Sequence, residues 1–316
     1  MTEAETAGAD FFDPNRGDDP ALARRVRLEG ASVEPPRTNY FALYRIESGE
    51  GTFWADAGEH AYQTDALLCF TPYQRIRFAP RAGGEATLIQ FHANFLCVET
   101  FHAETGCGGV LFNDPYGEPF VALDEPTSAD ADELIARILR ERAGDATARD
   151  EVVLASLKIL LIVASRLKAS RSEGPTVGAG AGDEHRRPIL GRLRDLIEEN
   201  YQTPLGPSDY ARLLDVSPRT LGRLTREHLG KTLTDLIRDR VLIHAKWQLL
   251  HTLRPVKEIA AEVGFQDELY FSRVFKKATG VSPTFFREYE TEIRGGSNLS
   301  MLSAGTSIQA GEPNGR

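Results

Sequence analysis

Ile259-Ala260-Ala261-Glu262-Val263-Gly264-Phe265, then Phe271-Ser272-Arg273-Val274-Phe275-Lys276-Lys277, closed by Gly280, is the stretch that decides the fold of this 316-residue chain. It reads as a short helix, a tight turn at Gly264 and a second helix with a basic outer face. A weaker copy lies about fifty residues earlier. Tyr210-Ala211-Arg212-Leu213-Leu214-Asp215-Val216-Ser217 leads to Leu221-Gly222-Arg223-Leu224-Thr225-Arg226 and closes at Gly230. Ala211 corresponds to Ala260, Arg223 to Arg273 and Gly230 to Gly280. A helix-turn-helix duplicated in one chain makes double-stranded DNA the expected partner.

In the later copy, Pro255 stands near the first helix start and Asp267 can cap the second. Phe271, Val274, Phe275 and Ala278 share an inward face, while Glu268, Leu269, Ser272, Arg273 and Lys276 share the opposite one. Arg273 suits guanine O6/N7, Glu268 a cytosine amino group and Leu269 a thymine methyl. Lys276 and Lys277 suit phosphates. In the earlier copy Ser217 caps a helix opened by Pro218, with Arg219, Thr220, Arg223 and Arg226 outward. Gly222 falls on its reading face and carries no side chain, and Thr225 replaces Phe275. That copy is expected to supply phosphate contacts plus one or two base contacts through Arg219 and Arg223. Between the copies, Thr234 to Thr252 predicts a helix of roughly 28 Å, long enough to hold two recognition helices about one DNA turn apart.

Charge divides the chain the same way. Residues 186–294 carry 19 Lys/Arg against 15 Asp/Glu, whereas the remainder carries 18 against 31. The acidic remainder repels phosphates; the mildly basic module attracts them. Three cysteines, Cys69, Cys97 and Cys107, form no disulfide framework and suit a reducing cytoplasm. No apolar run is long enough to span a bilayer, and the acidic N-terminus lacks a signal-peptide core. The expected location is cytoplasmic, away from membranes.

Residues 1–35, rich in Ala, Asp, Glu, Gly and Pro, predict a disordered arm. From Tyr40 onward, short apolar runs alternate with turn residues: Phe41–Ile46, Thr52–Ala55, Ala66–Phe70, Ile76–Phe78 and Ala86–Phe91. They predict a small β-sandwich or barrel. Asp130 can cap a following helix that carries Leu134, Ile135, Ile138 and Leu139. A second helix from Asp150 to Lys168 bears Leu154, Leu157, Leu161 and Ala164 at spacings of three and four, a stripe suited to dimerisation.

The sequence from Pro188 to Tyr289 resembles the DNA-binding domain of the AraC/XylS family of bacterial transcription regulators. Val263-Gly264-Phe265, Tyr270 to Lys277 and Thr279-Gly280-Val281-Ser282-Pro283 carry the likeness. Ile46 to Phe53, and Asp65 to Pro72 followed by Ile76-Arg77-Phe78, are similar to that family's cupin-type sensor domain. The resemblance implies a small-molecule effector in the barrel, pairing through the helices, DNA contact at the C-terminal end and RNA polymerase as a further partner. Tyr44, Trp54, Phe78, Gln90 and His92 are candidates for lining the barrel.

The expected fold class is thus α+β multidomain: an N-terminal cupin-like β-barrel with a helical dimerisation segment, and a C-terminal all-α domain with two helix-turn-helix motifs. The divisions are arm 1–35, sensor barrel 36–127, helical segment 128–172, linker 173–186, DNA-binding domain 187–292 and tail 293–316. His92, Cys97, His102 and Cys107 recur every five residues, which raises a metal- or thiol-responsive regulator as an alternative. Such spacing turns neighbours to different faces, so packing and pocket lining are preferred, and no metal or cofactor is expected. A cupin enzyme fused to a DNA-binding module needs a denser histidine cluster than His60 and His92 provide, and no nucleophile elbow or phosphate loop is present. The chain is expected not to be an enzyme.

Overall fold

The computed structural model describes residues 10–105, 109–112, 114–173 and 183–294. Eight strands come first: β1 (Ala21–Leu28), β2 (Phe41–Ile46), β3 (Glu50–Ala55), β4 (Gly58–Tyr62), β5 (Ala66–Phe70), β6 (Ile76–Ala82), β7 (Gly84–Phe91) and β8 (Phe120–Ala122). They form a five-stranded sheet of order β1-β7-β2-β5-β8 and a three-stranded sheet of order β4-β3-β6.

The two faces of the larger sheet have different neighbours, and side-chain alternation assigns them. Ala42, Tyr44, Ile46, Leu68, Phe70 and Leu88 point toward the smaller sheet, where Phe53, Tyr62 and Phe78 meet them. Phe41, Leu43, Leu67, Cys69, Ile89 and Phe91 point the other way, onto helices. This two-sided burial makes β2 and β5 buried at every position. Arg45 sits on the helix side, 3% exposed, and its guanidinium reaches Asp65 and Asp132 at 2.8 Å each and Ser128 at 2.7 Å. A charge that deep is tolerated because two carboxylates compensate it and its three nitrogens all donate, Nη1 to Ile46 O at 2.6 Å.

Among the described residues no strand of one sheet pairs with a strand of the other, and an isolated bridge ties only Val33, in the connection from β1 to β2, to Phe78 of β6. The strands therefore make an open sandwich and not the expected closed barrel. Residues 1–35 also depart from expectation. Residues 1–9 lie outside the described residues, but Ala21–Leu28 pairs along its whole length with β7, and Phe11 and Phe12 are buried. Ala21 and Ala23 face the helices while Val26 and Leu28 face the smaller sheet, a two-sided pattern that the intervening charges obscured in the sequence.

Helix α1 (Val98–Thr105) follows β7. Helices α2 (Glu125–Ala143) and α3 (Arg149–Glu173) cover the open face of the larger sheet. Asp124, not Asp130, caps α2: its carboxylate accepts from the Thr127 amide at 3.0 Å, and Pro126 occupies the first turn. Leu157, Leu161 and Ala164 are 1% exposed or less and join Ile135 and Ile138 in the intramolecular core, with Leu154 packed beside them. This stripe is the chain's own core seam, so it does not serve as a dimerisation face. The widened apolar surface of α3 instead leaves Ile159 49% exposed on the opposite side.

The C-terminal part is helical: α4 (Asp183–Asn200), α5 (Pro207–Leu213), α6 (Pro218–Leu229), α7 (Leu233–His251), α8 (Val256–Glu262), α9 (Glu268–Thr279) and α10 (Pro283–Ile293). Residues 174–182 of the expected linker lie outside the described residues, and α4 begins inside its expected end. One core gathers Leu193, Ile197, Tyr210, Leu221 and Leu236; a second gathers Ala245, Leu249, Ile259, Phe271, Phe275 and Phe286. Helix α7 runs through both, capped by reciprocal bonds between Thr232 and Asp235. The second core also takes in Phe11 and Tyr73 from the sheet domain, so the two halves of the chain share apolar surface.

Candidate nucleic-acid interface

The two helix pairs, α5–α6 and α8–α9, repeat one backbone turn. Leu214 N–H donates to Tyr210 O at 3.0 Å, and Val263 N–H to Ile259 O at 3.0 Å. Val216 N–H donates to Ala211 O at 3.0 Å, and Phe265 N–H to Ala260 O at 2.8 Å. Each corresponding residue is offset by 49. The turn itself is left-handed in both, at Asp215 (φ 55°) and at Gly264 (φ 91°). A Cβ on Gly264 would meet Gln202 O at 2.7 Å, so the second copy needs glycine for space as well as for backbone freedom.

Both second helices are capped as read. Ser217 accepts from the Thr220 amide at 3.1 Å and Asp267 from the Leu269 amide at 2.8 Å. Both end on left-handed glycines, Gly230 (φ 65°) and Gly280 (φ 88°). Phe271 and Phe275 are fully buried. Thr225 is buried too, its hydroxyl turned back to Gly222 O at 3.3 Å, so the first copy fills this position without a ring.

The outward faces carry the candidate contacts. Glu268, Leu269, Arg273, Lys276 and Lys277 are exposed on α9 and Ser272 is half-buried. Leu269 is 72% exposed, a large aliphatic side chain with no use inside this chain. The Arg273 guanidinium lies 5.9 Å from the Tyr270 ring centroid. On α6, Arg219, Arg223 and Arg226 are exposed, and the half-buried Thr220 shares a hydroxyl contact with Ser217 at 2.8 Å. Arg223 is also held 3.4 Å from Glu227, an exposed pair of about 0.3–0.5 kcal/mol that a phosphate can displace. A side chain at Gly222 would enter open space, its nearest neighbour being Arg226 Nη1 at 3.8 Å.

The five candidate effector residues do not share a site. Tyr44 and Phe78 lie inside the sandwich, where the rings of Tyr44, Phe53, Phe70 and Phe78 pack with centroids 5.1–6.3 Å apart and fill the interior. Trp54 is on the outer face of the smaller sheet under Arg77, 3.7 Å away. Gln90 is half-buried on β7. His92 lies at the junction with α10, where its Nε2 is 3.6 Å from Glu290 Oε2. A cleft of about 1190 Å³ lies between the sheet domain and the helices, lined by Arg37, Asp56, Tyr73, Lys246, Trp247 and Tyr270, among others.

Cys97 and His102 flank and join α1, both half-buried, and Cys107 lies outside the described residues. Cys69 is buried, and burial pushes its thiol up to about 12, which keeps it protonated and unreactive. Among the described residues no group of three His, Cys, Asp or Glu side chains converges as a metal site, and no helix is long and apolar enough to cross a membrane.

Sequence reading missed the residues that join the halves. Glu290, 2% exposed, receives Asn39 Nδ2 at 3.4 Å and the Tyr73 hydroxyl, faces His92, and pairs with Arg294 at 3.1 Å. Arg37 donates to Lys277 O at 3.3 Å. His251 meets Glu99 at 3.0 Å.

Residues 210–289 match the family model described as a helix-turn-helix domain. The arabinose operon regulatory protein of Escherichia coli K12 is 44% identical over 72 residues, 23% of this chain and 25% of that protein. The HTH-type transcriptional activator RhaR of Cronobacter sakazakii is 29% identical over 130 residues, 41% of this chain and 44% of that protein. The chain thus spans under half the length of these curated relatives. The structure of ToxT from Vibrio cholerae O395 aligns over 88% of this chain and 99% of its own, at 14% identity and a TM-score of 0.35.

Proposed function

We propose that the chain, a member of the AraC family of transcriptional regulators, is a DNA-binding regulator that reads a specific site with both helix pairs under the control of a small molecule held by its N-terminal half. The carrying observation is the repeated turn at Asp215 and Gly264, which presents two capped helices with exposed polar faces. Helix α9 reads bases through Glu268, Leu269, Ser272 and Arg273, and Lys276 and Lys277 hold phosphates. Helix α6 mainly anchors, because Gly222 leaves a gap in its reading face and the guanidinium forks of Arg219, Arg223 and Arg226 suit phosphate oxygens.

The filled sandwich interior directs the effector to the cleft instead. That cleft touches both halves of the chain, so a ligand there contacts the DNA-reading part and the sheet at once. Pairing of two chains is assigned to the outward side of α3, where Val152, Ala155, Ile159 and Val163 follow helical spacing opposite the core seam. RNA polymerase is the partner through which a bound regulator of this kind acts.

The test is a genome-wide map of bound fragments, repeated with Arg273→Ala. A shared sequence motif that loses one base preference in the variant supports the reading. A wild-type map without any motif overturns it.

A further inference from the structure

Arg223 on α6 and Arg273 on α9 occupy the same place counted from the caps Ser217 and Asp267, but they are held by different means. Arg223 is tethered to the Glu227 carboxylate at 3.4 Å. On α9 Lys277 stands where Glu227 does, and among the described residues Arg273 has no carboxylate partner. Its neighbour is Tyr270, one turn earlier, whose ring centroid lies 5.9 Å from the guanidinium carbon, within cation–π range. That ring is seated in its turn. Phe265, where the chain enters α9, packs on Phe271 at 5.3 Å and on Tyr270 at 5.8 Å. A line of rings thus runs from the fully buried Phe271 through the half-buried Phe265 to Tyr270, which is 55% exposed, and ends at the arginine. The first copy carries Val216 and Thr220 at the corresponding positions, so the line has no counterpart beside Arg223 among the described residues.

The two devices differ chemically. A carboxylate occupies the N–H groups that would otherwise meet a base, and its charge opposes an approaching phosphate. A ring face attracts the guanidinium through its π electrons and accepts no in-plane hydrogen bond. The arginine donors therefore stay free for a bidentate pair with guanine O6 and N7. Holding the long side chain before DNA arrives also reduces the rotamer freedom lost on binding. Tyr270 shares its flank of α9 with Val274 and Lys277, and all three line the cleft toward the sheet domain. The ring thus stands beside the reading face formed by Leu269, Ser272, Arg273 and Lys276, not on it.

We propose that Tyr270 is a positioning residue for base discrimination, its ring pre-setting Arg273 for one guanine without touching the DNA. The hydroxyl takes no part, and the effect is confined to the base that Arg273 meets. This assignment rests on the reading of α9 as the base-contacting helix.

The test uses the full chain and a duplex pool randomised over about two helical turns, with the bound fraction sequenced. Tyr270→Leu and Tyr270→Thr remove the ring, and threonine is the residue the first copy already carries there. Tyr270→Phe keeps the ring face. Arg273→Ala, alone and combined with Tyr270→Leu, completes a double-variant cycle. Wild type is expected to enrich a motif with one guanine that Arg273→Ala relaxes. Both ring-removing variants should weaken the preference at that same position by about two- to fivefold. They should leave the other positions, and the salt dependence of binding to the unselected pool, as in wild type. Tyr270→Phe should match wild type, and the combined variant should match Arg273→Ala. An unchanged guanine preference without the ring overturns the proposal. So does a Tyr270→Phe loss as large as that of Tyr270→Leu. A combined variant that loses more than Arg273→Ala also overturns it, because the ring then contacts DNA directly. If Arg273→Ala relaxes no position, the reading of α9 fails; if it relaxes the guanine while the ring-removing variants do not, the role of Tyr270 alone fails.

Discussion

Asp215 and Gly264 occupy the same place in the two helix pairs, each with left-handed backbone, yet only one is glycine. Asp is among the few residues that enter this region at modest cost, and its position is half open: Asp215 is exposed. Gly264 has Gln202 O where a Cβ would be. Gly264→Ala is therefore expected to cost at least about 1–2 kcal/mol from the backbone alone, with the carbonyl contact added. Asp215→Gly should leave stability near wild type. Urea unfolding of both variants measures this, and equal losses would show that the two turns are not built alike.

The two reading faces predict different losses on DNA. Arg273→Ala should cost about 1–3 kcal/mol at a specific site and relax one base position. Lys276→Ala should weaken all sequences alike and flatten the salt dependence. Fluorescence anisotropy over a salt series separates the two patterns. Unchanged specific binding by Arg273→Ala would mean that α9 docks in another orientation.

Gly222 permits a cleaner test of the first copy. It sits inside α6, where glycine is about 1 kcal/mol less favourable than alanine, and a Cβ there meets nothing closer than 3.8 Å. Gly222→Ala should raise the melting temperature while DNA affinity changes by less than about twofold, since the added methyl reads no base. A large affinity loss would show that DNA comes closer to this backbone than an anchoring helix requires.

These helix pairs were legible because their determinants are local. Caps at Ser217 and Asp267, closing glycines and the inward Phe271–Phe275 pair all lie within about four turns of chain. The sheet was legible as strands but not in its closure. The all-buried run Phe41–Ile46 has two apolar faces, and alternation alone does not say which faces a second sheet and which a helix. The stripe on α3 failed for the same reason: a seam suited to another chain is equally suited to its own sheet. Glu290 was invisible. The partners that bury it stand 217 and 251 residues away, at Tyr73 and Asn39.

The two sides of α3 can be told apart by oligomeric state. Leu161→Ala removes a fully buried side chain and should cost about 2–5 kcal/mol of stability without changing assembly in the folded fraction. Ile159→Glu places a charge on the exposed side and should leave the melting temperature nearly unchanged. It is expected to turn a dimer into a monomer by sedimentation. A dimer lost in Leu161→Ala under conditions where the chain stays folded would return the pairing role to the inner stripe.

Two buried groups at the domain junction set the pH response. Burial, with the charges of Lys231 and Lys168 adding to it, pushes His60 down from 6.5 to about 4. The folded chain thus resists a proton that the unfolded chain accepts, so stability falls as pH drops from about 6.5 towards 4. Glu290 acts lower on the scale. Burial alone would raise its carboxyl, but His92, Arg294 and Tyr73 together outweigh burial and hold it down to about 2. Its contribution is complete above the ordinary value of 4.5 and is lost as pH falls from there towards 2. His60 lies against Gly230 and Glu290 against the sheet, so both losses loosen the same contact. Thermal unfolding between pH 7 and 3 should therefore show two successive declines. His60→Gln is expected to flatten the upper one and leave the lower; an unaltered upper slope in that variant would assign the loss to other groups.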